Sequence, residues 1–332
     1  MRAVLLVGAA AAIVGGVAWL ARSDVLRAHG RNATEVAACG PTPAESPYPG
    51  MAFVPAGRFS MGSDNAFPEE GPASPQSVDG FWMDRTEVTN AQFAEFIAAT
   101  GYRTLAERGV RLAPDPASPV VAGSAVFRPQ GEGRRVPGLE SWWTFVPGAN
   151  WRAPEGPGSA LDGRELEPVV HVAFEDAAAY AAWAGRSLPT EEQFELAAQT
   201  SARRSASGEH TANTWQGRFP VQNDPADGYA GAAPVACYEP NALGLYDMIG
   251  NVWEWTASAY YPSHDFPAKA EYPDGFDPTQ PGEPVAVLKG GSYLCAPEYC
   301  MRYRPQARIG QSRGLGASHV GFRTVLNLQH WP

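Results

Sequence analysis

A chain of 332 residues with a formal net charge of −10 and no basic run can bury a large core and is ill suited to binding nucleic acid. Its 35 glycines and 31 prolines fall short of the share that prevents folding. With 10 Trp, 12 Tyr and 14 Phe, they predict one loop-rich globular domain pinned by aromatic side chains, not a regular bundle or barrel.

Residues 3–21, AVLLVGAAAAIVGGVAWLA, carry no charge and would span about 28 Å as a helix. The stretch reads as an uncleaved membrane anchor within residues 1–22. The alternative is a signal peptide whose removal leaves a secreted protein. Arg22, Arg27 and Arg31 follow the span, which by the positive-inside rule would hold the domain in the cytoplasm. The very short tail before an apolar stretch argues instead for export, and the extracytoplasmic side is favoured. Residues 23–50 are polar and rich in Pro, Gly and Ala, as in a linker.

The folded domain is expected over residues 51–330. Val54 and Phe59 fit strands on either side of a Pro-Ala-Gly turn. A helix is predicted over 90–100, capped by Thr89, striped by Phe93, Phe96 and Ile97, and ended by Gly101. Residues 113–137 read as a Pro/Gly-rich surface loop. A second helix is predicted over 175–184, stopped by Gly185, and a third from the capping box at Thr190 to Ala198. Residues 258–284 again read as loop. Asp247 and Glu254 bracket a short run whose carboxylates and carbonyls suit a hard cation such as Ca²⁺. Asp227-Gly228, by itself, is a turn.

Two of the four cysteines, Cys295 and Cys300, lie five positions apart in KGGSYLCAPEYCMRYR. A close thiolate pair suits a two-coordinate soft ion such as Cu(I), with an open position for a third sulfur; it also suits a disulfide. Pro297 between them favours a tight turn. Zinc is disfavoured, because it wants four ligands and His319 is the only reasonable local addition.

Several segments together resemble the formylglycine-generating enzyme, or sulfatase-modifying factor, family. They are VPAGRFSMGSD, FWMDRTEVTNAQFAEFI, GANWRAPEGP, PVVHVAFEDAAAYAAWAGRSLPTEEQFELAA, NTWQGRFPVQN, NALGLYDMIGNVWEWT, GGSYLCAPEYCMRYRPQAR and HVGFRT, in matching order between residues 51 and 326. The C-x4-C separates the catalytic branch from relatives that keep only the fold. The resemblance implies a single α+β domain of this family's own fold, C-type-lectin-like and low in regular secondary structure. It implies O₂-dependent oxidation of a cysteine, within a Cys-x-Pro-x-Arg segment of an unfolded sulfatase, to Cα-formylglycine.

By the same resemblance Cys295 and Cys300 would hold Cu(I), with the substrate thiolate joining them. Ser292 and Trp253 would border an oxygen pocket; taken alone, they read as a turn residue and a core residue. Tyr299, Arg304 and His319 would shape the groove or support the copper loop. Two structural Ca²⁺ ions are implied, one at Asn213, Thr214, Asp227 and Tyr229, the other at Asp247, Gly250, Val252 and Glu254. The partners expected are the sulfatase segment, O₂ and the membrane, with the protein itself a monomer. Pro305 and Thr324 stand where animal members carry disulfide cysteines, and Cys39 and Cys237 occupy no matching position, so their pairing stays open. The run GQSRGLGA at 310–317 departs from the family and leaves the acceptor unidentified. A non-catalytic lectin-like binding module is the alternative function. A sulfoxide synthase of the ergothioneine type is discounted, because the six histidines include no H-x3-H-x-E.

Overall fold

The computed structural model describes residues 39–41, 46–111, 117, 119–128, 142–202, 208 and 210–328. The predicted anchor and most of the linker lie outside them. Among the described residues, no helix is long and apolar enough to cross a membrane.

Among the described residues, the first strand begins at Met51. Strands β1 (Met51–Val54) and β2 (Gly57–Met61) are split by Pro55, and β3 (Ser74–Val78) and β4 (Phe81–Asp84) follow. Helix α1 (Asn90–Thr100) starts at a reciprocal cap: the Thr89 hydroxyl accepts the Gln92 N–H, and the Gln92 side chain accepts the Thr89 N–H. It ends at Gly101, left-handed at φ 66°. A short helix α2 (Leu105–Arg108) was not foreseen.

Strands β5 (Val110–Arg111), β6 (Val120–Val121), β7 (Gly123–Phe127) and β8 (Trp143–Pro147) come next. The last two form an antiparallel hairpin pairing Phe127 with Trp143. The predicted 113–137 loop therefore contains two strands, β6 and the longer β7. Its Ser124 and Val126 alternate inward, a pattern the surrounding prolines and glycines concealed. Helix α3 (Phe174–Trp183) and helix α4 (Glu191–Ala198) lie within one residue of expectation. Asp176 caps α3 by accepting the Ala173 N–H at 2.8 Å.

Strands β9 (Trp253–Ala259), β10 (Val285–Lys289), β11 (Arg308–Ser312), β12 (Val320–Gly321) and β13 (Val325–Asn327) complete the chain. The two larger sheets run β11-β10-β9-β12 and β1-β4-β13, and β2-β3, β5-β6 and β7-β8 pair as two-stranded sheets. Strand β10 is buried along its whole length. β12 runs parallel to β9, with Val320 opposite Trp253. The main core gathers Phe93, Phe96, Trp151, Trp255, Leu288 and Phe322, together with both close-spaced cysteines. A second apolar cluster, including Val54, Phe81, Met83, Phe194 and Val325, sits under the smaller sheet.

Two close approaches join the long segments between these elements. Gly250, at φ 82°, lies so near the 213 segment that a Cβ there would fall 2.3 Å from the Asn213 carbonyl. Gly250→Ala should therefore cost about 2–3 kcal/mol through strain and displaced backbone, read as a lowered midpoint in denaturant. His171, fully buried at φ 61°, donates its backbone N–H to Ala317 and sets its Nε2 2.8 Å from the Pro154 carbonyl. Burial lowers its pKa to about 4. The unfolded chain thus takes the proton first, and stability is lost as pH falls from about 6.5 to about 4, by about 3 kcal/mol at most. His171→Asn, which tolerates this backbone, should flatten that acid loss in melting curves.

Candidate active site at the paired cysteines

The segment from Gly290 to Arg304 leaves β10 through two glycines. Gly291, at φ 82°, would put a Cβ 2.5 Å from the Arg302 carbonyl, so the two ends of the loop close on each other there. Inside the loop the Cys295 N–H donates to Ser292, and the N–H groups of Tyr299, Cys300 and Met301 all converge on the Ala296 carbonyl. That turn brings the cysteine Cα atoms to 4.7 Å, within disulfide range, and their sulfurs are bonded. The sequence reading expected sulfurs held apart around an ion; here the pair is closed. Cys39 and Cys237, whose pairing was open, form a second disulfide with Cα atoms 4.6 Å apart. No described cysteine is free.

Cys295 and Cys300 are both buried, 1% and 7% exposed. Trp253 belongs to the same apolar cluster, and its N–H donates to the His319 carbonyl at 2.8 Å. The His319 ring lies 4.6 Å from that of Trp143, and its Nδ1 has no hydrogen-bond partner among the described residues. Burial and the neighbouring His171 lower its pKa to about 3, so it is neutral. Ser292 is fully buried, and its hydroxyl accepts the Leu294 N–H at 3.3 Å within its own turn.

Tyr299, next to Cys300 in the chain, is 40% exposed, stacked on Phe219 at 4.0 Å and edge-on to Trp142. Trp215 and Phe127 pack behind Phe219. This aromatic wall was missed in the sequence; its signals were the Trp142-Trp143 doublet and the NTWQGRFP run. Arg304, expected to shape the groove, is half-buried. Its guanidinium is paired with the buried Glu70, while Arg302 is paired with Glu69. These two pairs fasten the end of the cysteine loop to residues 68–70.

The two expected cation loops lie against each other. Asp227 accepts the Thr214 N–H at 2.8 Å and the Tyr229 N–H at 3.3 Å, so the four residues of that set are gathered. The Asn213 Oδ1 is buried without a hydrogen-bond partner among the described residues, as an oxygen ligand would be. In the second set Asp247 accepts the Ala236 N–H at 2.7 Å. Both Glu254 oxygens are taken by Arg323, at 2.7 and 2.8 Å, which differs from the expected ligand role. Gly250 and Val252 are buried between them.

Glu87, absent from the sequence reading, completes this centre 3.9 Å from Arg323. Three carboxylates thus surround one guanidinium, and burial raises the pKa of each, that of Asp247 to about 6. No group of three His, Cys, Asp or Glu gathers as a metal site among the described residues. The expected sets lean on carbonyls and Asn. The surplus of buried negative charge and the unpartnered Asn213 oxygen fit hard cations, whereas the cysteine pair, closed as a disulfide, offers thiolates to a soft ion only once reduced.

A model of the sulfatase-modifying factor enzyme 1-like domain matches residues 35–328. Formylglycine-generating enzyme of Mycobacterium tuberculosis is 46% identical over 293 residues, covering 83% of this chain and 97% of that protein. Its counterpart from Thermomonospora curvata is 42% identical over 295 residues, covering 82% and 92%. Among solved structures PvdO from Pseudomonas aeruginosa superposes with a TM-score of 0.51 at 22% identity, over 84% of this chain and 94% of that one, a likeness of fold. With the cysteine loop and its flanking motifs in place, the chain belongs to the sulfatase-modifying factor enzyme 1-like family.

Proposed function

We propose that this protein is a formylglycine-generating oxidase, converting a cysteine in a Cys-x-Pro-x-Arg segment of an unfolded sulfatase to Cα-formylglycine with O₂. The observation that carries the reading is the buried Cys295–Cys300 pair, held by a turn inside this family's domain. Reduced, the pair would bind Cu(I), which supplies one-electron chemistry toward O₂.

The chain's own residues do the rest. The turn at Ala296 keeps both sulfurs on one side of a short loop. Trp253 and the surrounding core exclude water, and neutral His319 adds no charge there. The Tyr299–Phe219–Trp142 wall receives the extended substrate next to Cys300. The ion pairs of Arg302 and Arg304 keep the loop from following the substrate out. Taking the thiol carbon to an aldehyde with release of H₂S removes two electrons from the substrate. Reducing O₂ to water takes four. An external thiol reductant must therefore supply the other two.

Ca²⁺ at the two acidic loops would balance their buried charge. The apolar segment would anchor the chain to a membrane as a monomer. The Cys39–Cys237 bond supports placement of the domain on the oxidising, exported side.

With the full-length chain reduced and supplied with Cu(I), O₂ and a thiol, a Cys-x-Pro-x-Arg peptide should lose SH₂ and gain O by mass spectrometry. An unchanged peptide mass would overturn the assignment. Cys300→Ala should lower turnover by at least about a thousandfold while leaving the melting temperature near that of the parent, since turnover needs both sulfurs. Calcium chelation should lower the melting temperature, and restored Ca²⁺ should recover it; no shift would remove the cation assignment.

A further inference from the structure

Asn251 sits where the two acidic loops and the cysteine loop meet. It is fully buried, at a left-handed φ of 49°. Its amide is saturated. The Oδ1 accepts from the Asn213 Nδ2 at 3.1 Å and the Ala233 N–H at 2.9 Å. The Nδ2 donates to the Glu87 Oε1 at 3.0 Å and the Ala233 carbonyl at 3.3 Å. Its backbone is committed in both directions: the N–H donates to the Asn213 carbonyl at 2.9 Å, and the carbonyl accepts the Tyr293 N–H at 2.8 Å.

Tyr293 directly follows Ser292 and lies two residues before Cys295. Two further backbone bonds run the same way. The Gly250 N–H donates to the Gly290 carbonyl at 2.9 Å, and the Trp215 N–H donates to the Cys295 carbonyl at 3.1 Å. The cysteine loop therefore hangs from residues in or beside the two acidic loops, and the Asn251 side chain bridges the first of them, at Asn213, to the Glu87 carboxylate beside the second.

We infer that Asn251 is a positioning residue that transmits the state of the acidic loops to the cysteine pair, so that cation occupancy sets the reactivity of Cys295 and Cys300 as well as stability. The inference rests on the cation and oxidase readings above. A cation drawing Asn213 and Asp227 together would fix Asn251 through the bond between the two amides, and one held at Asp247, Gly250 and Val252 would fix it through the adjoining backbone. Asn251 in turn would fix the carbonyl from which Tyr293 hangs. Without the amide, the backbone bonds alone would leave the loops free to shift independently.

The test uses the full-length chain with its thiols reduced. Alkylation of Cys295 and Cys300 is followed residue by residue by mass spectrometry, with Ca²⁺ and with a calcium chelator. In the parent protein, chelation should change the alkylation rate by about tenfold, the size expected for coupled sites. Asn251→Gly keeps the left-handed backbone and deletes the amide; its rate should be the same in both conditions. Asn251→Asp keeps one acceptor and sets a charge against Glu87; it should also lose the calcium response, and it serves if the glycine variant fails to fold.

In the oxidation assay, Asn251→Gly should lower kcat and leave KM near the parent value. A parent rate indifferent to calcium, or a variant with the parent's full calcium response, would overturn the inference, as would a raised KM with kcat unchanged. Because alkylation needs neither peptide turnover nor copper, a calcium-responsive thiol pair in a protein that fails to oxidise the peptide would sink the oxidase reading and leave this one standing.

Discussion

The guanidinium of Arg323 is the fixed point of the molecule. It is fully buried and spends its donors on the two Glu254 oxygens and on the carbonyls of Tyr246, Asp84 and Arg85. Those partners come from β9, from the loop ahead of it and from the end of β4, so one side chain ties both sheets to the acidic loops. Such a pair does little for net stability, because desolvation offsets most of its attraction. What it fixes is arrangement. A slipped strand would leave this charge buried without partners.

That fixed point explains how a protein with so little regular structure can hold a reactive loop still. Strand β9 begins at Trp253 and carries Glu254 next to it. One residue faces the cysteine cluster and the other faces Arg323. The buried Lys289–Glu195 pair and the Arg308–Glu191 pair do the same at the far side of β10. Aromatic packing fills the space between these pins. The wall at Tyr299 is packed against Trp142, Phe219 and Trp215 at its base while Tyr299 itself reaches solvent.

Much of this was legible in the sequence where the signal is local. Thr89 with Gln92 and Thr190 with Gln193 announce helix starts through their own hydrogen bonds, and the C-x4-C with an intervening proline announces a turn. Strand β7 was hidden because its partner β8 lies beyond a Pro/Gly-rich stretch and nothing within five residues reveals the pairing. Glu87, Arg323 and Asn251 were missed for a related reason. Each looks like an ordinary polar residue until residues 164, 69 and 38 positions away along the chain are brought to it. Arg304 was placed at the groove from its motif, but the buried carboxylate of Glu70, more than two hundred positions earlier, competes for it.

The Cys39–Cys237 bond reaches beyond its own surroundings. It joins positions 198 apart, and a cross-link of that span removes about 5 kcal/mol of unfolded-state entropy in the chain-entropy description. Tyr229 places its hydroxyl 3.1 Å from the Cys237 sulfur, beside the first acidic loop. A shortened protein beginning near residue 50 would thus do more than lose the apolar N-terminal segment. It would leave an orphan thiol next to that loop, a stray soft donor able to scavenge metal or swap bonds with the very pair whose chemistry depends on exclusivity.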